Sequence, residues 1–392
     1  MMLFLNLTKY SNQQELDTIF RLKAGNDIAS HSVSKAAFSK ARKNLSHTAF
    51  VELNRQLVDD YYRLHKNIKK WRGFRLCAID GSYFRLPNEP DIVEEFGLHK
   101  GKSSAKSCSM GISSMYYDVL NEISIDSCLC PSRSSERALA SEHLRHADKG
   151  DLVLLDRNYP VFWLYAQMQS KGIHFCVRVR DNIDTLYKTF KESGKKECIV
   201  EVTANTNSKR ICQEKGLSIK PIKIRLVRVD LKDEVEILAT NLLDKQKYPA
   251  AIFKKLYHYR WGIEEGYKRQ KLWLEIENYS GKSALSVKQD YYGKIATLNL
   301  TSIMVSENQV VVRHKYKARR LKYKINFAQA LSKMKDNIVL LLLNVNLKER
   351  IQQLIGYIAN TIEAVRNDRY FVRKKRHHYN KNINHLCYKR CR

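Results

Sequence analysis

The residue types that could do chemistry lie in one crowded stretch and at two isolated aspartates. The stretch, YHYRWGIEEGYKRQK at residues 257–271, mixes arginine, lysine and glutamate with aromatics. In a helix each residue turns by about 100°, so Tyr257, Arg260, Glu264 and Lys271 fall within about 60° of arc. Alone, the stripe has an ordinary explanation, an Arg260–Glu264 pair worth a few tenths of a kcal/mol. Two further carboxylates change that weighing. Asp80 is expected to end the strand FRLCAID, and Asp156 the strand DLVLL, so both reach the same side of a sheet, where Glu264 can join them.

Three carboxylates in a cationic protein repel DNA unless divalent ions lie between them, and hard oxygen donors suit Mg²⁺ or Mn²⁺. Asp80, Asp156 and Glu264 are therefore the expected metal ligands and catalytic residues. Two ions about 3.5 to 4 Å apart would activate an attacking water or 3′-hydroxyl and stabilise the leaving oxygen.

The elements that must position them follow from periodicity. From Phe74 the pattern gives a strand, a hairpin around 107–116 and 119–129 turned by YYDVLN, the helix SSERALASEHLRHAD, the buried strand DLVLL, a helix at 160–171 and the strand HFCVRVR. That order suggests an α/β fold, a ribonuclease-H-like mixed sheet flanked by helices. The expected divisions are a helical DNA-end-binding region at 1–70, the first part of the core at 71–180, an inserted β subdomain at 181–247, the glutamate-bearing core helix at 248–300, and a helical region at 301–392 with a basic tail. Within the insertion Lys223 and Arg225 alternate with Ile222, Ile224 and Leu226, which predicts a cationic face. The helix in SVSKAAFSKARKNLS, capped by Ser34, sets Lys35, Lys40, Arg42 and Lys43 against an apolar stripe. It reads equally as part of a helix-turn-helix and as the solvated face of a bundle.

Seventy Lys and Arg against forty Asp and Glu leave a net +30 spread along 392 residues, which points to a polyanionic partner, nucleic acid rather than a membrane surface. The apolar run Ile338–Leu343 is far too short to span a bilayer. The N-terminus has neither a basic start nor a cleavage site, so a cytoplasmic, nucleoid-associated location is expected. Nine cysteines read as reduced structural thiols. His377, His378, His385, Cys387 and Cys391 cluster near the C-terminus without the paired motif of a zinc knuckle.

AIDGS around Asp80, LLDRNYP around Asp156 and Tyr-x2-Arg-x3-Glu-x6-Lys from Tyr257 to Lys271 together resemble insertion-sequence DDE transposases of the YREK class, the family numbered four among bacterial insertion sequences. The resemblance runs from about residue 71 to 300. It implies cut-and-paste transposition: hydrolysis at the element's end, attack of the freed 3′-hydroxyl to form a hairpin, reopening, and strand transfer into target DNA. It also implies that Tyr257, Arg260 and Lys271 hold the terminal phosphate, that the partner is double-stranded DNA, and that a homodimer bridges two ends. Arg157, after the second aspartate, either contacts DNA or pairs with a carboxylate. The sequence departs from the pattern in one respect: residues 181–256 contain no tryptophan to receive an extruded base. Tyr187, Phe190 and Tyr248 remain as substitutes or packing residues. Two other readings stay open, a nuclease or resolvase on the same core and a non-catalytic DNA-binding protein derived from a transposase.

Overall fold

A computed structural model describes residues 11–24, 33–100, 107–180, 185–231, 234–342 and 346–366. In chain order, α1 (Asn12–Ala24), α2 (Lys35–Arg42) and α3 (Thr48–Leu64) precede β1 (Arg75–Arg85), α4 (Pro90–Phe96), β2 (Leu98–Lys100), β3 (Ser107–Asp118), β4 (Ile123–Pro131), α5 (Glu136–His143) and β5 (Asp151–Leu155). Next come α6 (Phe162–Ser170), β6 (His174–Val179), α7 (Thr185–Glu192), β7 (Glu197–Val202), α8 (Thr206–Glu214), β8 (Ile222–Asp230) and β9 (Val235–Thr240). The chain ends through α9 (Phe253–His258), α10 (Trp261–Lys268), α11 (Ala284–Lys315), β10 (Lys322–Ile325), α12 (Phe327–Leu342), α13 (Leu347–Ala359) and β11 (Ile362–Val365). Two compact units result, one of residues 66–82 and 112–267, the other of 1–65, 83–111 and 268–392.

The first of these is built on a sheet. β4 lies beside β3, and the order continues β1, β5, β6, β9, β8, β7. β1, β5 and β6 are parallel, whereas β9, β8 and β7 are antiparallel additions. β5 is buried along its whole length, as a run of Leu and Val covered on both faces requires. The expected ribonuclease-H-like order of strands is present. The insertion differs from expectation: β9 bonds directly to β6, so its strands extend the core sheet instead of forming a separate one. Extension satisfies the edge of β6 and leaves no unpaired row of backbone groups there.

One ion pair pins the register. Arg75 and Asp151 are direct partners across β1 and β5, and the guanidinium donates twice to the carboxylate, at 2.8 and 2.6 Å, while the Tyr116 hydroxyl donates to it at 2.7 Å. A slip of one residue would turn every side chain of β1 to the wrong face and leave Asp151 buried and unpaired.

The other unit is helical. Its core gathers Leu16, Phe38, Phe50, Ala296, Leu331 and Ile358 around α11, which is buried on most sides. Ser283 and Ser286 close a capping box at the start of α11, and Asp91 accepts a hydrogen bond from Ala284 N at 2.7 Å. Ser34 caps α2 as expected. Arg42 does not join the cationic face: it is buried, 2.8 Å from Asp290 and hydrogen-bonded to Gln289 and Ser280. The final helical run also ends early, at Ala359, and β11 pairs antiparallel with β10. The basic tail and its His and Cys cluster lie outside the described residues.

Candidate active site

Asp80 does not end β1; the strand runs on to Arg85. What ends near Asp80 is the pairing with β5, whose last partners are Ala78 and Leu154. The same register continued by two residues sets Asp80 opposite Asp156, just past the end of β5. Each carboxylate is steadied by its own loop: Gly81 N donates to Asp80 at 2.9 Å and Asn158 N to Asp156 at 2.7 Å. Burial and the charge of Asp156 raise the Asp80 carboxyl to about 7, against the opposing pull of Gly81 N and Arg260.

The signature stretch is not one continuous α-helix. It breaks between α9 and α10, where Arg260 N bonds Tyr257 O and Ile263 N bonds Arg260 O, each a tight three-residue step. Beyond Lys268 it widens into a π-turn at Arg269–Trp273, with Leu274 N reaching back to Arg269 O. The single stripe drawn from a uniform 100° turn is thereby redrawn. Two tyrosines dictate the path: Tyr257 donates to Leu155 O at 3.3 Å, and Tyr267 to Asp80 O at 2.8 Å and Ser113 O at 3.0 Å. The two glycines permit the approach. A Cβ at Gly262 would stand 3.0 Å from Val119, and one at Gly266 would stand 3.2 Å from both Met115 and Tyr117.

Arg260 is the hinge of the site. Its guanidinium lies 2.9 Å from Glu264 and 3.7 Å from Asp80, and it rests over the rings of Tyr257 and Trp261. Asp80 and Glu264 thus flank one cation, with Asp156 beside Asp80. Asp80 is 20% exposed and Glu264 40%. The Arg260 Nε and the Tyr159 hydroxyl are buried without a hydrogen-bond partner. Among the described residues no three acidic, histidine or cysteine side chains lie close enough to grip an ion as they stand. The donor set nonetheless fits a hard divalent cation: oxygen only, with two carboxylates on neighbouring strand ends whose mutual repulsion is only partly met by Arg260.

The remaining expected residues divide. Tyr257 is buried and its hydroxyl is spent on the sheet, so it does not face DNA here. Lys271, in the other unit, donates to Tyr83 O at 2.9 Å. Arg157 is exposed and Lys223 is exposed near Glu201. Arg225 is a correction: it is fully buried, bonded to Glu197 and Tyr248 O and stacked over Phe253. β8 is covered on both faces there, so alternation gave the side without the depth. Tyr187, Phe190 and Tyr248 are all buried packing residues. Trp261, outside the span in which a tryptophan was sought, is 42% exposed beside Arg260.

A sequence profile described as "Transposase DDE domain" matches residues 71–300, more than half of the chain. The chain belongs to that family. Within it, this DDE-domain chain is 24% identical over 234 residues to the transposase InsG for insertion sequence element IS4 of Escherichia coli K12, covering 59% of this chain and 52% of that one. It is 25% identical over 166 residues to the putative transposase InsZ of the same organism, covering 41% and 55%. The chain spans about half the length of the curated relatives it matches. A solved structure, the piggyBac transposase synaptic complex with hairpin DNA, aligns over 91% of this chain and 74% of its own at 9% identity with a TM-score of 0.44, too loose a likeness to support anything further.

Proposed function

We propose that this DDE-domain chain is a DNA transposase that cuts and joins DNA with Asp80, Asp156 and Glu264 as its catalytic carboxylates. The observation that carries the reading is the shared register of Asp80 and Asp156, with Arg260 suspended between Asp80 and Glu264. Those carboxylates would hold Mg²⁺ or Mn²⁺, two ions in the full complex, which when bound would polarise the attacking and leaving oxygens.

The chain's own groups position the reaction. Arg260, preset over Tyr257 and Trp261, offers a planar donor fork to a phosphate that displaces it from Asp80. Tyr257 and Tyr267 fix α9 and α10 to sheet carbonyls, so the carboxylates keep their spacing. Trp261 presents an exposed indole on which an extruded base would stack in a hairpin step. Lys271, Arg157 and Lys223 supply further cations for DNA, and a homodimer would bring two element ends together.

The test is Mg²⁺-dependent nicking of cognate element ends by purified protein. Glu264→Gln and Asp156→Ala are each expected to lose at least about 10³-fold of the rate; full activity in either refutes the site. A joined product that depends on a free 3′-hydroxyl separates transposition from simple nuclease action. One observation favours a second reading, a non-catalytic DNA-binding protein: the carboxylates are not gathered tightly enough to hold an ion as they stand. Calorimetry with Mn²⁺ decides between them, since that reading requires no binding.

A further inference from the structure

Glu136 opens α5, directly after β4, and its carboxyl lies against the backbone of β1 beside Asp80. A Cβ at Gly81 would stand only 3.4 Å from both Cγ and Cδ of Glu136. The glycine after Asp80 therefore makes room for this side chain. Glu136 feels the charge of Asp156, and Asp80 in turn feels that of Glu136, so three carboxyls crowd one end of the sheet.

Two independent features show that the crowding is a built place. Tyr159 is completely buried, its hydroxyl facing Asp80, Glu136 and Asp156, yet it closes no hydrogen bond. An orphaned donor in such a position calls for an occupant with oxygen atoms to offer. The helix that carries Glu136 is also braced. Both faces of the buried His143 ring are engaged, Nδ1 at 2.6 Å from Asp126 and Nε2 at 3.0 Å from Ser114 Oγ, and Ser114 Oγ lies 3.5 Å from Asp80 O. Asp126, His143 and Ser114 have the order of a nucleophile relay, but the serine and imidazole are wholly buried. Their work is to fix α5 to β3 and β4 and to back the strand at Asp80.

We propose that Glu136 is a further oxygen donor to the divalent cation held by Asp80 and Asp156, with the Tyr159 hydroxyl donating to a water or phosphate oxygen on that cation. This rests on the reading of Asp80 and Asp156 as metal carboxylates. The alternative is that Glu136 merely complements the helix N-terminus, a surface effect that its removal would weaken.

The two roles move stability in opposite directions, which a melting experiment on the full chain detects. Without metal, Glu136→Gln relieves repulsion, so its melting temperature is expected to equal or exceed that of the wild type. With Ca²⁺, which binds without supporting turnover, the metal-dependent rise is expected to fall to half or less, and the calorimetric Kd to weaken roughly 10-fold or more. Gly81→Ala, which pushes the carboxyl aside, is expected to weaken Ca²⁺ in the same direction, and Asp80→Asn to abolish binding. If Asp80→Asn loses Ca²⁺ while Glu136→Gln binds as wild type, the Glu136 inference is overturned and the underlying site stands. If the wild type takes up no Ca²⁺, or Asp80→Asn still binds it fully, both fall.

Discussion

Asp80 pays for its place between neighbouring strand ends, and that cost is measurable. A carboxyl raised from about 4 to about 7 on folding takes up a proton, so its contribution favours the fold at low pH and is lost as pH climbs through about 7. In chelator-treated protein the urea midpoint is expected to fall between pH 4 and 7, by at most a few kcal/mol of stability. Asp80→Asn should remove that slope; an unchanged slope would show that Asp80 is not so placed. Arg225 makes the opposite point. Arg225→Ala strands Glu197 and is expected to cost about 3 to 5 kcal/mol in urea denaturation, whereas Lys223→Ala, two residues away on the same strand, should stay within about 0.5 kcal/mol. The sequence marked both as one cationic face because alternation reports side, and burial depends on what the opposite layer brings. Asp80, Asp156 and Glu264 were legible because chemistry confines carboxylates to so few places in a basic chain. Glu136 was not, since its meaning depends on a glycine 55 positions earlier lying beneath it.

Among the elements, the strands around Asp80 and Asp156 were readable from apolar runs, and the β1–β5 register is what turns them into a site. Arg75→Met leaves Asp151 buried without its cation and is expected to lower stability by about 3 to 5 kcal/mol, with loss of nicking beyond what the remaining folded fraction explains. Arg75→Met that nicks normally would show that the register does not depend on this pair. The helix was legible as helix but not in its course. Its tight step at Arg260 and its π-turn come from Tyr257 and Tyr267 reaching carbonyls of different strands, a tertiary demand that no local periodicity records. Gly266→Val, which drives a branched side chain into Met115 and Tyr117, is expected to cost about 1 to 3 kcal/mol by thermal melting and to impair cleavage, because the helix must lift from β3. Wild-type melting and cleavage in Gly266→Val would disprove the close contact.

For the whole molecule, +30 of net charge dominates encounters with DNA. Affinity for duplex DNA is expected to drop by about 10³-fold or more between 50 and 200 mM salt, read as a steep line of log affinity against log salt in fluorescence anisotropy. A flat line would set aside the electrostatic account. The fold class was readable from the order of strands and helices, but the boundaries were not, since each unit is assembled from separated segments. That interleaving sets a timetable for synthesis. Asp290, which neutralises the buried Arg42, is translated 248 residues after it, whereas every segment of the sheet-bearing unit is complete at residue 267. A ribosome paused shortly beyond that point would hold a finished sheet and an N-terminal helical group still lacking its central helix. Protease added to such nascent chains is expected to clip α1–α3 first, and these helices become resistant only once α11 has emerged.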